Sequence, residues 1–207
     1  MFQFRFPGTR GRTQSDLVTA IFDAVRSEVS WCRKDVLERL LELAVEIARE
    51  GREGRRIGTL FTFGEADRVL ALSRPLILDP LAGHAPAATS IFDDGACGTI
   101  KELAQLDGAF VVSADGAVQS AGRYLEATAE GVELPFGLGT RHLAAASISK
   151  RVGIVAIVVS ESAVVRVFCH GHLVAELIPE LWLFRHYMQQ PKKRTRQGPG
   201  RRPRSSS

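Results

Sequence analysis

Residues 154–159 read Ile-Val-Ala-Ile-Val-Val, six apolar positions without a break. The run is far too short to cross a bilayer. It reads as a strand buried in the middle of a sheet. The sequence on either side constrains that sheet further. Residues 140–150 predict a helix whose Ala144, Ala145 and Ala146 allow it to lie close on the strands. Residues 109–113 and 117–121 flank Ala114-Asp115-Gly116, and an Asp-Gly turn between two apolar runs predicts a hairpin. Residues 163–169 and 172–177 predict a second hairpin around His170-Gly171, and residues 57–63 a further strand. Strands and helices alternate irregularly, with two hairpins among them. The expected fold is therefore α/β, with a mixed, antiparallel-containing central sheet flanked by helices rather than a purely parallel doubly wound sheet.

Two amphipathic helices precede this core. Residues 15–31 place Leu17, Ile21, Val25 and Val29 at four-residue spacing, with Ser15 or Asp16 as cap. Residues 34–50 place Val36, Leu40, Leu43 and Ile47 on one face, and Gly51 stops the helix. After the first strand, Gly64 to Asp67 read as a turn and residues 69–72 as a short extended piece. Pro75, Pro80, Gly83 and Pro86 punctuate a loop reaching about residue 90. Thr99-Ile100-Lys101-Glu102 matches a capping box and predicts a helix over residues 100–105. Residues 122–134 read as loop and residues 178–189 as a last helix. The organisation is a helical extension (1–53), a core domain (54–189) and a tail (190–207).

The net charge of +4 conceals an asymmetry. Seven of the 27 basic residues lie between Lys192 and Arg204, in a segment without an acid, leaving 20 against 23 acidic residues elsewhere. That Gly-, Pro- and Ser-rich tail is expected to be disordered. It is either a solubilising terminus or a salt-sensitive contact to nucleic acid, the latter not favoured. Cys32, Cys97 and Cys169 are widely spaced, with no Cys-x-x-Cys pair, so free thiols in a reducing compartment are expected. With no signal-peptide pattern and no membrane-length apolar run, the expected location is the cytoplasm, without membrane contact.

Three short segments carry chemistry. Asp107-Gly108 enters the strand Ala109 to Ser113. A carboxylate there can bind a divalent metal or take a proton from a hydroxyl, or serve only as a turn residue. Gly137-Leu138-Gly139-Thr140-Arg141-His142 runs into a helix, whose first amides and positive dipole end suit an anion. Thr140 can cap that helix and contact phosphate, Arg141 offers a planar fork of donors, and His142 can donate to phosphate or ligate a metal. No Gly-Lys-Ser/Thr follows, so this is not a Walker loop. Ser160-Glu161-Ser162 closes the apolar strand, where Ser160 can meet phosphate and Glu161 a metal.

Leu106-Asp107-Gly108-Ala109, Gly122-Arg123-Tyr124-Leu125, Gly139-Thr140-Arg141-His142 and Val158-Val159-Ser160-Glu161 resemble, in order and spacing, the diadenylate cyclase domains of the DisA type. Ile57-Gly58-Thr59-Leu60-Phe61 followed by Asp79-Pro80 extends the resemblance, which covers about residues 55–178. It implies the condensation of two ATP into cyclic di-AMP with release of pyrophosphate, dependent on Mg²⁺ or Mn²⁺. It implies Asp107, Arg141 and His142 as catalytic residues, and Asp107, Glu161 and His142 as metal ligands. Leu106, Gly108, Ala109, Gly122 and Tyr124 would shape the adenosine pocket, while Gly139, Thr140, Arg141 and His142, with Ser160 assisting, would hold the phosphates. It also implies a homodimer with facing active sites. The chain departs from the family pattern at Leu143, where a second arginine is usual, and at Ser162, where a second glutamate is common. Leu143 keeps open a second reading, a nucleotide-binding sensor of the same fold.

Overall fold

The computed structural model describes residues 14–181. Its α-helices are α1 (Gln14–Glu28), α2 (Lys34–Glu50), α3 (Ala66–Ala71), α4 (Asp94–Leu103) and α5 (Thr140–Val152). Its strands are β1 (Thr59–Gly64), β2 (Ser73–Pro75), β3 (Ala109–Ser113), β4 (Val118–Leu125), β5 (Val155–Val159), β6 (Val165–Cys169) and β7 (His172–Leu177). They form one sheet in the order β2-β4-β3-β1-β5-β6-β7. Every neighbouring pair is antiparallel except β1 and β3, so the sheet is mixed as expected.

The apolar run at residues 154–159 is fully buried because the sheet is covered on both faces. Val155, Ile157 and Val159 join a core with α1 and α2, whereas Ile154, Ala156 and Val158 join one with α3 and α5. Leu37, Leu40, Leu41 and Leu43 of α2 are wholly buried. Each such side chain contributes roughly 1.5–3 kcal/mol of burial free energy, so the first two helices are integral to the sheet's core. No helix among the described residues is long and apolar enough to cross a membrane. Cys32, Cys97 and Cys169 are buried free thiols, and burial pushes those of Cys32 and Cys169 up to about 12.

Four local expectations are corrected. Residues 66–71 are helical rather than turn and extended chain, because Ala66 and Val69 lie three apart and share the buried face. The helix before β3 begins at Asp94, with the Asp93 carboxylate accepting from the Ala96 amide at 2.8 Å. Thr99 is inside that helix and its hydroxyl donates back to the Gly95 carbonyl, so the capping-box match is a coincidence of spacing. β4 runs through Gly122 to Leu125, and β2 adds a three-residue edge within the loop region. The last predicted helix lies mostly, and the basic tail wholly, outside the described residues.

The register brings separate segments to one end of the sheet. β1 and β3 run in parallel, so Gly58 and Asp107, just before them, lie at the same end. Thr59 pairs with Val159, which brings Ser160 and Glu161 there too. Because α5 feeds back into β5 through Gly153, its N-terminus, with Thr140, Arg141 and His142, returns to that end.

Candidate active site

Arg141 is the centre of the cluster. One guanidinium nitrogen lies 3.9 Å from an Asp107 carboxylate oxygen and another 3.8 Å from Glu161. The Arg141 side chain is 30% exposed, those of Asp107 and Glu161 85% and 73%. Ion pairs this long and this wet contribute about 0–1 kcal/mol to stability. The three side chains are therefore held near one another but remain free to change partners when a charged ligand arrives.

The backbone beneath them is cut to fit. A Cβ on Gly58 would overlap Arg141 Nη1 and lie 3.0 Å from its Cζ and 3.3 Å from Glu161 Cγ. Gly58 thus leaves room for the guanidinium, a role not foreseen for it; a glycine bordering an apolar strand run is the available signal of such close approach. Gly108 has φ +107°, and a Cβ there would lie 2.6–2.8 Å from the backbone of Gly122 and Arg123. The Gly108 amide donates to the Asp107 carboxylate at 2.9 Å.

The N-terminus of α5 is capped by Gly139, without a side-chain hydrogen bond. Thr140 is the first helical residue and does not cap, which corrects that expectation. His142 and Leu143 amides donate to the Gly139 carbonyl at 3.0 and 3.2 Å. The Thr140 and Arg141 amides have no partner among the described residues, and together with the helix dipole they form a place for an anionic oxygen.

His142 turns inward. Its ring packs edge-on against Phe168, 6.2 Å between centroids, and Nε2 lies 3.3 Å from Arg166 Nη1. Burial, then the charges of Arg166 and Arg141, push the imidazole down to about 4, so it is neutral at pH 7. Ser160 is also buried, and its hydroxyl is 2.5 Å from that of Ser162 while accepting from the Ser162 amide. Ser162 therefore closes the β5–β6 turn.

Leu106, Gly108, Ala109, Gly122 and Tyr124 gather where β3 begins and β4 ends, with Ala109 paired to Arg123. Leu106 and Tyr124 are exposed there, and Leu76 and Ile77 add an apolar rim over Gly122. Arg74, paired across the strands with Tyr124, places its guanidinium 4.7 Å from the ring centre.

Among the described residues no three His, Cys, Asp or Glu side chains group as a metal site. Asp107, Glu161 and His142 are thus not a three-residue ligand set, and a guanidinium faces the imidazole. Asp107 and Glu161, on either side of Arg141, still suit a hard divalent ion. Such an ion is commonly held by one or two carboxylates, with phosphate oxygens and water completing its shell.

Known proteins resemble the chain in sequence. The chain is 51% identical over 148 residues to a diadenylate cyclase of Methanocaldococcus jannaschii, covering 71% of this chain and 47% of that protein. It is 37% identical over 175 residues to a diadenylate cyclase of Haloferax volcanii, covering 84% and 63%. The chain thus spans about half to two thirds of the length of these relatives. Among solved structures, a double mutant of DacA from Staphylococcus aureus aligns with TM-score 0.46 at 18% identity, over 75% of this chain and 93% of that one. A hypothetical membrane spanning protein from Bacillus cereus aligns with TM-score 0.49 at 17%, over 78% and 92%. The assignment rests on the sequence matches. Residues 46–173, which hold Gly58, Asp107, Arg141 and Glu161, match one family along their length, and the chain belongs to it: DisA bacterial checkpoint controller nucleotide-binding, the DAC family.

Proposed function

We propose that the chain is a diadenylate cyclase, joining two ATP into cyclic di-AMP with release of two pyrophosphates. The observation that carries this reading is Arg141 standing between two exposed carboxylates beside the N-terminus of α5, which has no side-chain cap. A triphosphate needs cationic donors and free amides, and a 3′-hydroxyl needs a carboxylate within reach of both.

Leu106, Gly108, Ala109, Gly122 and Tyr124 seat the adenosine, with Tyr124 offering a ring face. Gly139, Thr140 and Arg141 receive the phosphates. Asp107 accepts the proton of the ribose 3′-hydroxyl. The 3′-oxygen bonds to the α-phosphorus of the second ATP, the bond from that phosphorus to the bridging oxygen breaks, and pyrophosphate leaves. Asp107 and Glu161 would hold Mg²⁺ or Mn²⁺, which when bound draws charge from the phosphates and acidifies the hydroxyl. His142, neutral and turned toward Arg166, serves phosphate as an N–H donor and leaves the ligand set. Ser160 supports the turn, and its hydroxyl can donate to phosphate while accepting from the Ser162 hydroxyl and amide. Two bonds must form between two nucleotides, so two copies of the chain face each other during turnover.

The test is purified protein with ATP and Mn²⁺, assayed for cyclic di-AMP by mass spectrometry, with Asp107→Asn alongside. Product from the wild type alone is expected. Comparable turnover by Asp107→Asn would remove the proposed base. ATP binding without pyrophosphate release would select a sensor, the reading that Leu143 favours.

A further inference from the structure

His142 does not stand alone in its pocket. Arg166, on β6, carries a side chain only 14% exposed. Its Nε donates to the Glu176 carboxylate of β7 at 2.7 Å, in register across the two strands. Its Nη1 lies 3.3 Å from His142 Nε2. Three elements, β7, β6 and α5, are thus linked through Glu176, Arg166 and His142.

The chemistry of this link has one solution. A guanidinium has donors only and remains protonated. Nε2 can meet it only with its lone pair. A neutral imidazole has one donor and one acceptor nitrogen, so the ring proton must sit on Nδ1. Thr59 Oγ1 is the one buried side-chain polar atom without a partner among the described residues. His142 Nδ1 makes no hydrogen bond among the described residues, and it belongs to a residue of the first turn of α5.

We propose that Arg166, held by Glu176, is a positioning residue that fixes His142 in its Nδ1–H form, so that the site presents a neutral N–H donor to substrate phosphate. The catalytic part of this inference rests on the proposed cyclase function; the tautomer does not. Glu176 orients the guanidinium and offsets its charge, allowing a cation to sit beside the imidazole. The arrangement gives the site a second kind of donor beside Arg141, directional but uncharged. This assigns work to two residues outside the four recognisable motifs, both selected by the β5–β6–β7 register rather than by sequence adjacency.

The experiment is ¹⁵N-edited NMR of the full chain with labelled histidine, assigned with His142→Gln, together with steady-state kinetics on ATP. In the wild type His142 is expected as the Nδ1–H tautomer, the less common one in free histidine. Arg166→Met should release it toward Nε2–H and lower kcat by about tenfold to a hundredfold, the range for a partner that orients a site residue. KM should change less, and Arg166→Lys should restore much of both readouts. An Nε2–H tautomer in the wild type overturns the proposal whether or not any variant folds. So does an unchanged tautomer in folded Arg166→Met. The expected tautomer shift in a protein that makes no cyclic di-AMP would support the positioning role while removing the cyclase reading.

Discussion

Gly108→Ala tests how closely the site's backbone is packed. At φ +107° a side chain is strained wherever it is placed, at about 1–3 kcal/mol. The new Cβ would also lie 2.6 Å from the Gly122 carbonyl carbon and 2.7 Å from the Arg123 nitrogen, and these are strand backbone, which cannot swing aside. Overpacking of this kind costs a further 1–3 kcal/mol or so. The expected loss is therefore about 2–6 kcal/mol. For a chain of this size each kcal/mol lowers Tm by roughly 2–4 °C. Gly137→Ala is the control, since Gly137 has φ +90° but nothing within 4 Å of an added Cβ. It carries the strain without the collision. Differential scanning calorimetry of wild type and both variants should place Gly108→Ala clearly below Gly137→Ala. Where Gly108→Ala is still folded, displacement of the adjoining Asp107 should remove activity. Equal Tm values for the two variants would refute the argument that the β3–β4 backbone contact requires glycine.

Gly58→Ala should behave in the opposite way. The atoms it displaces are the far end of Arg141, so stability should stay within about 1 kcal/mol while activity and ATP affinity fall; wild-type kinetics would show that the guanidinium has another productive position. His142 predicts an acid sensitivity. Its folded pKa is about 4 against an ordinary 6.5, so between these values the unfolded chain binds the proton and the folded one does not. Its contribution to stability is present above pH 6.5 and is lost as pH falls toward 4. Urea titrations at pH 7.5 and 4.5 should show a larger loss for wild type than for His142→Gln, and equal losses would contradict the depressed pKa. Thr59→Val should raise stability by about 1–3 kcal/mol, because the hydroxyl at the start of β1 is buried without a partner among the described residues. A lower Tm in that variant would mean the hydroxyl is satisfied.

What the sequence disclosed, and what it withheld, follows the range of the forces involved. β5 was legible because burial on both faces leaves an unbroken apolar run. The β3–β4 hairpin was legible because Asp115-Gly116 is a local conformational demand. α3 was misread because two buried residues within a single turn, Ala66 and Val69, are too few to establish a period. The start of α4 was hidden by Gly95 and Gly98 behind its true cap, Asp93. The site divides in the same way. Asp107, Arg141 and Glu161 lie in short motifs whose chemistry is visible residue by residue, but nothing in those motifs says that one guanidinium stands between the two carboxylates. That depends on β1 pairing in parallel with β3 and antiparallel with β5, which brings segments starting near residues 58, 107 and 160 to one end. Gly58 matters only because Arg141 is folded against it. Arg166 matters only because it pairs with Val158 and Glu176 while α5 lowers His142 onto the same strand. A histidine read in isolation offers two nitrogens, two tautomers, and either a metal or a phosphate. Beside a guanidinium it keeps one of each, because a permanent donor at Nε2 excludes both a proton and a metal ion there.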